Sequence, residues 1–389
     1  MFRIGQEEID ELINVISASD LFKINGGLQE SKQVEAMLSE KIGTTYPIFM
    51  TSGHAALLTA LTAMGVGPGD EVIVPAYTYI STALAVVGAG AMPVIAEVDE
   101  TLTISPEDIK KKITKHTKAI MPVHIQGFPC NMDAIMEIAK ENNLMVLEDA
   151  CQSDGGSYKG KRLGTIGDAG AFSFNYFKIV SSGEGGALLT DNRIIFERSL
   201  IYHDSGAVAF FGDQKKGFTT EGFCGSEYRS NELCAAVMRV QLTRLDGILA
   251  DLRKNKKYMM NALEGVCKFA PSNDIEGDCG TTIAIQFETE AEARAFIDSN
   301  KVHSGMPIDS GRHVYRNWEP IMEKRGAFNP LMDPFKMEAN KDIVPDYRAD
   351  MCPKTLDILS KVVYINVNPD ETKEQMDERI EIIKKALAK

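Results

Sequence analysis

Apolar residues recur along the first 240 positions in patterns that alternate between helices and short buried strands. Val34, Met37, Leu38 and Ile42 form one helical stripe, and a second helix rich in Ala and Leu is predicted over 53–64. Short apolar runs between helices predict strands over 71–74, 93–96, 119–123, 144–147, 170–174 and 187–190. This alternation predicts an α/β fold with a mainly parallel sheet.

Helix start signals and a change of pattern divide the chain into two parts. Ser105, Pro106 and the acids after them form a helix start, and another helix is predicted over 132–142. Beyond about residue 245, strands are predicted over 281–287 and 362–367, and helices over 289–299 and 372–388. Because 389 residues exceed one ordinary core, we expect a large domain over 1–245 and a smaller α/β domain over 246–389.

The charge and the hydropathy of the chain narrow the classes of partner. The formal net charge is −13, which argues against nucleic acid as the main partner. A few local arginines can still bind a small acidic substrate. No apolar run approaches the roughly 20 residues that span a bilayer, and the first ten residues do not resemble a signal peptide. We therefore expect a cytoplasmic protein without nucleic-acid or membrane partners.

The cysteines give no sign of a metal site or a disulfide framework. There are seven, which is an odd number, and none are spaced as CxxC. We expect reduced thiols and no metal ion.

Two segments could bind a ligand at the ends of predicted strands. Ser52 and Gly53 lie where a helix begins, and its free N–H groups could bind a phosphate, although an ordinary helix cap explains the same residues. Glu148 and Asp149 follow a strand, where ligands collect in open α/β sheets. An acid there could pair with a cationic ring nitrogen, although a helix cap or a solvated charge is the simpler interpretation.

Lys178 stands in the most unusual segment of the chain. It follows the aromatic run FSFNYF and precedes SSGEGG. A lysine between aromatic side chains can be partly desolvated and can offer a reactive amine, and the glycines would allow a tight return of the chain near a ligand. The alternative is a solvated lysine at the end of a strand.

Taken together, these motifs resemble the DegT/StrS-type sugar aminotransferases, a branch of the aspartate-aminotransferase fold. The likeness covers most of the chain and is densest from residue 50 to 191. The matching runs are TSGHAALLTAL, GVGPGDEVIVPAYTYISTA, TKAIMPVHIQGFPCNMDAI, LEDACQSDGGSYKGKRLGTIGDAGAFSFNYFK and GEGGALLTDN. The resemblance implies the type I fold of pyridoxal-phosphate (PLP) transferases, with a large domain and a smaller α/β domain.

The resemblance also implies a role for each matching residue. Lys178 matches the lysine that carries PLP and moves the proton between substrate and cofactor. Asp149 matches the carboxylate that keeps the pyridine nitrogen protonated, Gln152 the partner of the ring hydroxyl, and Tyr79 the aromatic residue that stacks on the ring. The phosphate-binding residues are matched by Ser52, Gly53, His54 and Ser173.

Two positions depart from the family pattern. His54 stands where Thr is usual, although its backbone N–H can still donate. Glu227 in GSEYRSNEL stands where an Asn often reaches the phosphate of the neighbouring subunit, and a carboxylate there would be repelled by the phosphate. We do not assign Glu227 that role. The resemblance further implies a homodimer with active sites at the subunit interface.

Three functions fit a chain of this kind. The first is an aminotransferase, in which glutamate or glutamine loads the cofactor as pyridoxamine phosphate (PMP) and a keto sugar accepts the amino group. The second is a sugar dehydratase of the same fold, which Lys178 argues against because those relatives replace the lysine by histidine. The third is a non-catalytic regulator, which need not retain Lys178, Asp149 and Tyr79 together.

The sugar is predicted from the loop over 309–318. It concentrates two arginines, a histidine and the only tryptophan, and we predict that Arg312, His313 and Arg316 bind substrate, since arginine forks suit carboxylate or phosphate. A structural interdomain loop is the alternative. The chain is also similar to aminotransferases that form 8-amino-3,8-dideoxy-octulosonate, an acidic sugar of lipopolysaccharide. We therefore predict an 8-oxo-3-deoxy-octulosonate as acceptor, with a nucleotide-linked keto sugar as the alternative.

Overall fold

Two sheets of different size organise the chain. A computed structural model describes residues 3–23, 27–206, 217–299, 302 and 304–388. The helices in this part are α1 (Gln6–Ser17), α2 (Glu30–Ile42), α3 (Gly53–Ala63), α4 (Ser81–Gly88), α5 (Pro106–Lys112), α6 (Met132–Glu141), α7 (Arg193–His203), α8 (Glu232–Leu263), α9 (Glu290–Ser299), α10 (Glu319–Met322), α11 (Pro353–Ser360) and α12 (Lys373–Leu387). The strands are β1 (Tyr46–Met50), β2 (Glu71–Pro75), β3 (Met92–Ala96), β4 (Thr117–Ile120), β5 (Met145–Asp149), β6 (Ser157–Tyr158), β7 (Lys161–Arg162), β8 (Ala169–Ser173), β9 (Gly186–Thr190), β10 (Lys268–Phe269), β11 (Thr282–Gln286), β12 (Ser304–Gly305) and β13 (Val362–Asn366).

The larger sheet has the strand order β1-β9-β8-β5-β4-β2-β3. Only β9 runs antiparallel to its neighbours in this sheet, and the other strands share one direction. β2, β8 and β9 are buried along their whole length, as expected for strands that are covered on both faces. The predicted α/β fold with a mainly parallel sheet is confirmed.

Helix α3 lies deep in the larger domain because it is apolar on nearly every side. Nine of its eleven residues are buried, and they are chiefly Ala and Leu. It contacts β8, β9, α4 and α7, so its small side chains allow a close approach to the sheet. This packing fixes the N-terminus of α3 beside the carboxyl end of β8.

The smaller sheet is antiparallel and has the order β10-β11-β13-β12. Helix α8 contacts elements from both ends of the chain. It packs against α1 and α2, and also against α12 and β11. It also runs across residue 245, so the division into 1–245 and 246–389 remains a prediction. Among the described residues, no helix is both long enough and apolar enough to cross a membrane.

The weakly periodic stretch over 305–346 folds into short 3-10 turns and α10. It packs back on the larger sheet, where Thr78 N donates to His313 O at 2.9 Å and Tyr315 N donates to Ala76 O at 3.0 Å. The tryptophan of this stretch, Trp318, is fully buried and donates its ring N–H to Arg312 O. The segment therefore joins the two sheets and brings His313 to the end of β2.

Candidate active site

A cleft of about 1130 Å³ opens at the carboxyl ends of β5 and β8, where ligands collect in open α/β sheets. Residues that follow the strands of the larger sheet provide one wall, and the start of β11 together with α12 provides the other. Of the predicted site residues, the cleft is lined by Tyr79, Gln152, Lys178 and His313.

The predicted phosphate cradle is built around the first turn of α3. Ser52 caps this helix, and its Oγ accepts a hydrogen bond from Ala55 N at 3.0 Å. A Cβ added to Gly53 would lie 2.7 Å from Cys151 Sγ and 2.8 Å from Ser173 Cβ, so only glycine fits. The outward-facing N–H groups of this turn, held against the end of β8, suit an anion.

His54 contributes its backbone to this turn, while its side chain is engaged elsewhere. Its Nδ1 shares a hydrogen bond with Ser81 Oγ at 2.8 Å, at the start of α4. Burial lowers the pKa of His54, although Ser81 and the carboxylate of Asp149 oppose this effect. The ring is therefore neutral near pH 7, and it ties α3 to α4 without adding positive charge.

Asp149 ends β5 and is almost fully buried. Its Oδ2 accepts a hydrogen bond from Thr82 Oγ1 at 2.7 Å, and its Oδ1 accepts one from Cys151 N at 3.2 Å. Thr78 Oγ1 lies 2.7 Å from Thr82 Oγ1 and extends this network. The two donors fix the carboxylate in one orientation at the edge of the sheet, as a counter-charge to a cationic ring nitrogen requires.

Glu148, the residue before Asp149 in β5, is also a buried acid. The Glu148 carboxylate accepts three hydrogen bonds from backbone N–H groups of the loop over 164–167. One of its oxygens also lies 3.0 Å from His124 Nε2. His124 Nδ1 accepts the N–H of Cys130 at 3.0 Å, so the ring carries its proton on Nε2. The sequence analysis did not predict His124 or Thr82, because neither lies in a segment with an obvious chemical role.

Lys178 lies half-buried in a turn after β8, where its backbone N–H donates a hydrogen bond to Asn175 O at 3.0 Å. The aromatic residues next to it, Tyr176 and Phe177, are 60% and 83% exposed, whereas Phe174 is buried in the core. The aromatic run therefore does not enclose the lysine within this chain. Lys178 Nζ makes no hydrogen bond or ion pair with any described residue, and it faces the open cleft.

Gln152 reaches the cleft beside a strained residue. Its Oε1 accepts the N–H of Gln126 at 3.2 Å. Gln126 has a φ of 53°, a left-handed conformation that is uncommon outside glycine and often marks functional sites. The Gln126 carbonyl and side chain accept hydrogen bonds from Thr281 and Thr282 at 2.7 and 3.2 Å. Gln126 thus joins the two walls of the cleft, a contact that the sequence analysis missed.

The predicted substrate residues are divided between the cleft and the surface. His313 lines the cleft with its ring centroid 5.4 Å from that of Tyr79. Burial lowers the pKa of His313, the Ser310 carbonyl opposes this, and the charge of Lys178 adds to it. Arg312 and Arg316 are exposed and lie outside the residues that line the cleft, and neither guanidinium has an ion pair within the described residues.

Glu227, which departs from the family pattern, lies beside an arginine. Arg229 Nη2 is 2.9 Å from Glu227 Oε2, and Arg229 also pairs with the buried Asp204. The charge of Glu227 is therefore offset within its own chain.

The chain matches the DegT/DnrJ/EryC1/StrS aminotransferase family over residues 3–305. It belongs to this family. GDP-perosamine synthase of Vibrio cholerae is 36% identical over 297 residues, which are 75% of this chain and 79% of that protein. The corresponding enzyme of Escherichia coli O157:H7 is 37% identical over 227 residues, which are 57% of this chain and 60% of that protein. An aminotransferase structure from Psychrobacter cryohalolentis is 28% identical with a TM-score of 0.81, and covers 100% of this chain and 98% of that one.

The predicted family, the type I fold, the enzyme class and the cofactor are confirmed by these matches. The residues present fit PLP, since the first turn of α3 suits its phosphate, Asp149 its ring nitrogen and Lys178 its carbonyl carbon. When bound, PLP supplies an electron sink next to the carbon that gains or loses nitrogen. The chain's own residues would bind, orient and exchange protons with it.

Proposed function

We propose that this protein transfers an amino group from glutamate to the carbonyl of an anionic keto sugar. The observation that carries the proposal is the single cleft in which Lys178, Gln152 and Tyr79 meet beside the buried Asp149. A lysine, a fixed carboxylate and an anion-binding helix start are the groups that PLP-dependent amino transfer needs.

In the proposed reaction, each of these residues has one task. The N–H groups of the first turn of α3 hold the cofactor phosphate, and Tyr79 covers one face of its ring. Asp149 keeps a proton on the ring nitrogen. Lys178 Nζ carries the proton that leaves or joins the substrate carbon, which proximity within the cleft makes efficient.

Two kinds of anionic sugar are consistent with this site. The exposed arginines of the 3-10 turns beside the cleft, Arg312 and Arg316, favour an acid sugar of the 8-oxo-3-deoxy-octulosonate type, which would place the protein in cytoplasmic lipopolysaccharide precursor synthesis. The relatives named as GDP-perosamine synthases favour a nucleotide-linked keto sugar. In either case a guanidinium fork would bind the acidic group and direct the ketone towards Lys178.

One kinetic comparison tests the function and separates the two sugars. The purified protein, loaded with PLP, is offered an 8-oxo-octulosonate or a nucleotide-linked 4-keto sugar, each with glutamate. Turnover of neither sugar would contradict the proposed function. Turnover of the nucleotide sugar alone would exclude the octulosonate while the aminotransferase proposal stands.

Matched variants test the arginines in the same assay. Arg312→Lys and Arg316→Lys are expected to raise KM for the preferred sugar about tenfold or more, because a point charge does not replace a bidentate fork. Arg348→Lys is the control, since Arg348 is also exposed and already pairs with Asp346 and Asp350. Equal changes in KM at all three positions would show that Arg312 and Arg316 do not bind the substrate.

We also propose a homodimer with active sites at the interface. Two exposed apolar surfaces support it: the α1 stripe of Ile9, Ile13 and Ile16, and the pair Tyr176 and Phe177 next to Lys178. Contiguous exposed apolar side chains are uncommon on a monomer surface. The pair Tyr176 and Phe177, next to Lys178, lies where a second subunit would close the cleft.

A further inference from the structure

Asp154 is a buried acid that faces the cleft and has no partner. It is 1% exposed, and neither Oδ1 nor Oδ2 has a hydrogen-bond donor in the described part of the chain. It lines the same cleft as Lys178 and Gln152. None of the roles proposed for the cofactor-binding residues involves Asp154.

Other buried acids of the chain show how unusual this is. Asp278 pairs with Lys256 at 2.7 Å and accepts the N–H of Gly280 at 2.6 Å. Glu148 accepts three backbone N–H groups. A buried carboxyl without such donors lowers the stability of the fold, so its presence needs a compensating reason.

The charges around Asp154 point to that reason. Burial raises the pKa of the Asp154 carboxyl well above its usual range, the positive charge of Lys178 opposes this, and Asp149 adds to it. Among these groups, Lys178 is the cation that could stabilise the carboxylate. No ion pair joins the two side chains in the present arrangement, so a rearrangement of the lysine is needed to form one.

A side chain of the cleft fits this role better than a diffusible ligand. Both carboxyl oxygens are closed to solvent in the present arrangement, so their partner has to come from a group that already lies in the wall of the cleft. Lys178 is adjacent in the cleft, is bound to no described residue, and has a flexible four-carbon stem. It also needs a second position, because a substrate nitrogen must replace it on the cofactor.

We propose that Asp154 is a positioning residue that receives Lys178 Nζ whenever this lysine is free of the cofactor. A proton passes from the Asp154 carboxyl to the amine, which gives a carboxylate and an ammonium without any further reactant. The pair keeps the freed lysine inside the cleft, and return of the proton to Asp154 restores the neutral amine that accepts the proton leaving the substrate carbon. This role rests on the proposed amino transfer.

The first test uses the cofactor-free protein, in which Lys178 is always free. The melting temperature is measured for Lys178→Met, Asp154→Asn and the double variant. Asp154→Asn is expected to raise Tm more when Lys178 is absent, because the acid then has no possible partner, with a difference of about 2 °C or more. Additive effects would overturn the proposal. Asp154→Ser repeats the cycle in case the amide does not fold.

A matched control shows whether the coupling is specific. Asp333 is another fully buried acid, but it lies away from the cleft, accepts the N–H groups of Gly326 and Phe335 on Oδ1 and pairs with Lys336 through Oδ2 at 3.1 Å. Combining Asp333→Asn with Lys178→Met is expected to give additive changes in Tm. Coupling as large as that of Asp154 would show a general effect of charge removal and would overturn the proposal.

The second test uses the PLP-loaded protein. After glutamate is added, the loss of visible absorbance is followed by stopped flow between pH 6 and pH 9. Asp154→Asn is expected to keep the cofactor but to slow this step about tenfold and to change its pH profile, whereas Asp333→Asn leaves both unchanged. An unaltered rate at every pH would overturn the proposal. If the unchanged protein does not react with glutamate, the proposed function fails, and the stability cycle alone decides the role of Asp154.

Discussion

The tight contact at Gly53 allows a quantitative prediction for the phosphate cradle. In Gly53→Ala, the new methyl group would lie 2.7 Å from Cys151 Sγ and 2.8 Å from Ser173 Cβ. Ordinary contacts between such atoms are about 3.5–4.0 Å, so the first turn of α3 must move by about 1 Å. Overpacking of this kind in a rigid core lowers the free energy of unfolding by about 1–3 kcal/mol.

A matched substitution separates this steric effect from helix propensity. Gly247 lies in the middle of α8, is exposed, and has no atom near the position of an added Cβ. Gly247→Ala is therefore expected to stabilise the protein by about 0.5–1 kcal/mol. The two variants carry the same chemical change, and their free energies of unfolding should differ by roughly 1.5–4 kcal/mol.

Two measurements check the prediction. Urea unfolding of the cofactor-free protein gives the two free energies, and titration with PLP gives the affinities. Gly53→Ala should bind PLP about tenfold or more weakly because the N–H groups of the turn no longer converge, while Gly247→Ala should bind normally. If both variants are equally stable and bind PLP equally, the close approach at α3 is not the phosphate cradle.

Three other predictions follow from the same site. Borohydride treatment of the PLP-loaded protein should fix the cofactor to the peptide that contains Lys178, and labelling of another peptide would show that the assignment is wrong. Asp149→Asn should retain cofactor but lose turnover by about 10²-fold or more, at about 1.36 kcal/mol for each factor of ten; near-normal turnover would exclude its proposed role. Sedimentation should show a dimer, and the exchange of Phe177 for Ser should weaken it; an active monomer would refute the interface.

Local sequence signals were sufficient for most of the regular structure. The Ser105-Pro106 start was predicted from cap chemistry, and Ser105 Oγ does accept the N–H of Asp108 in α5. Six of the seven strands of the large sheet, all except β1, were predicted within a few residues, because buried strands are short apolar runs between turns. Helix α8 was missed as a unit, since its 32 residues lie across the point where the pattern changes from one domain to the other.

The proposed cofactor residues come from the motif resemblance, and the structure brings them to one edge of the sheet. Lys178, Gln152 and Tyr79 line the cleft, and Asp149 lies buried beside them. What the motifs could not provide was the environment of the lysine. The sequence suggested aromatic walls around Lys178, yet Tyr176 and Phe177 are 60% and 83% exposed, and of the two only Phe177 lines the cleft. Their orientation depends on the turn after β8, and a run of letters does not specify it.

The residues that escaped prediction share a dependence on contacts between distant segments. Gln126 matters because its left-handed conformation lets it bond Thr281 and Thr282 across the cleft, some 155 positions away in sequence. His313 was predicted to bind substrate, but its place beside Tyr79 could not be predicted, because it depends on its segment packing back on the end of β2. Asp154 was also missed, because the sequence does not show which groups surround it. In sequence it is one acid among 55, and only burial without any donor distinguishes it. A role for Asp154 could therefore be argued only once the fold had shown which groups surround it.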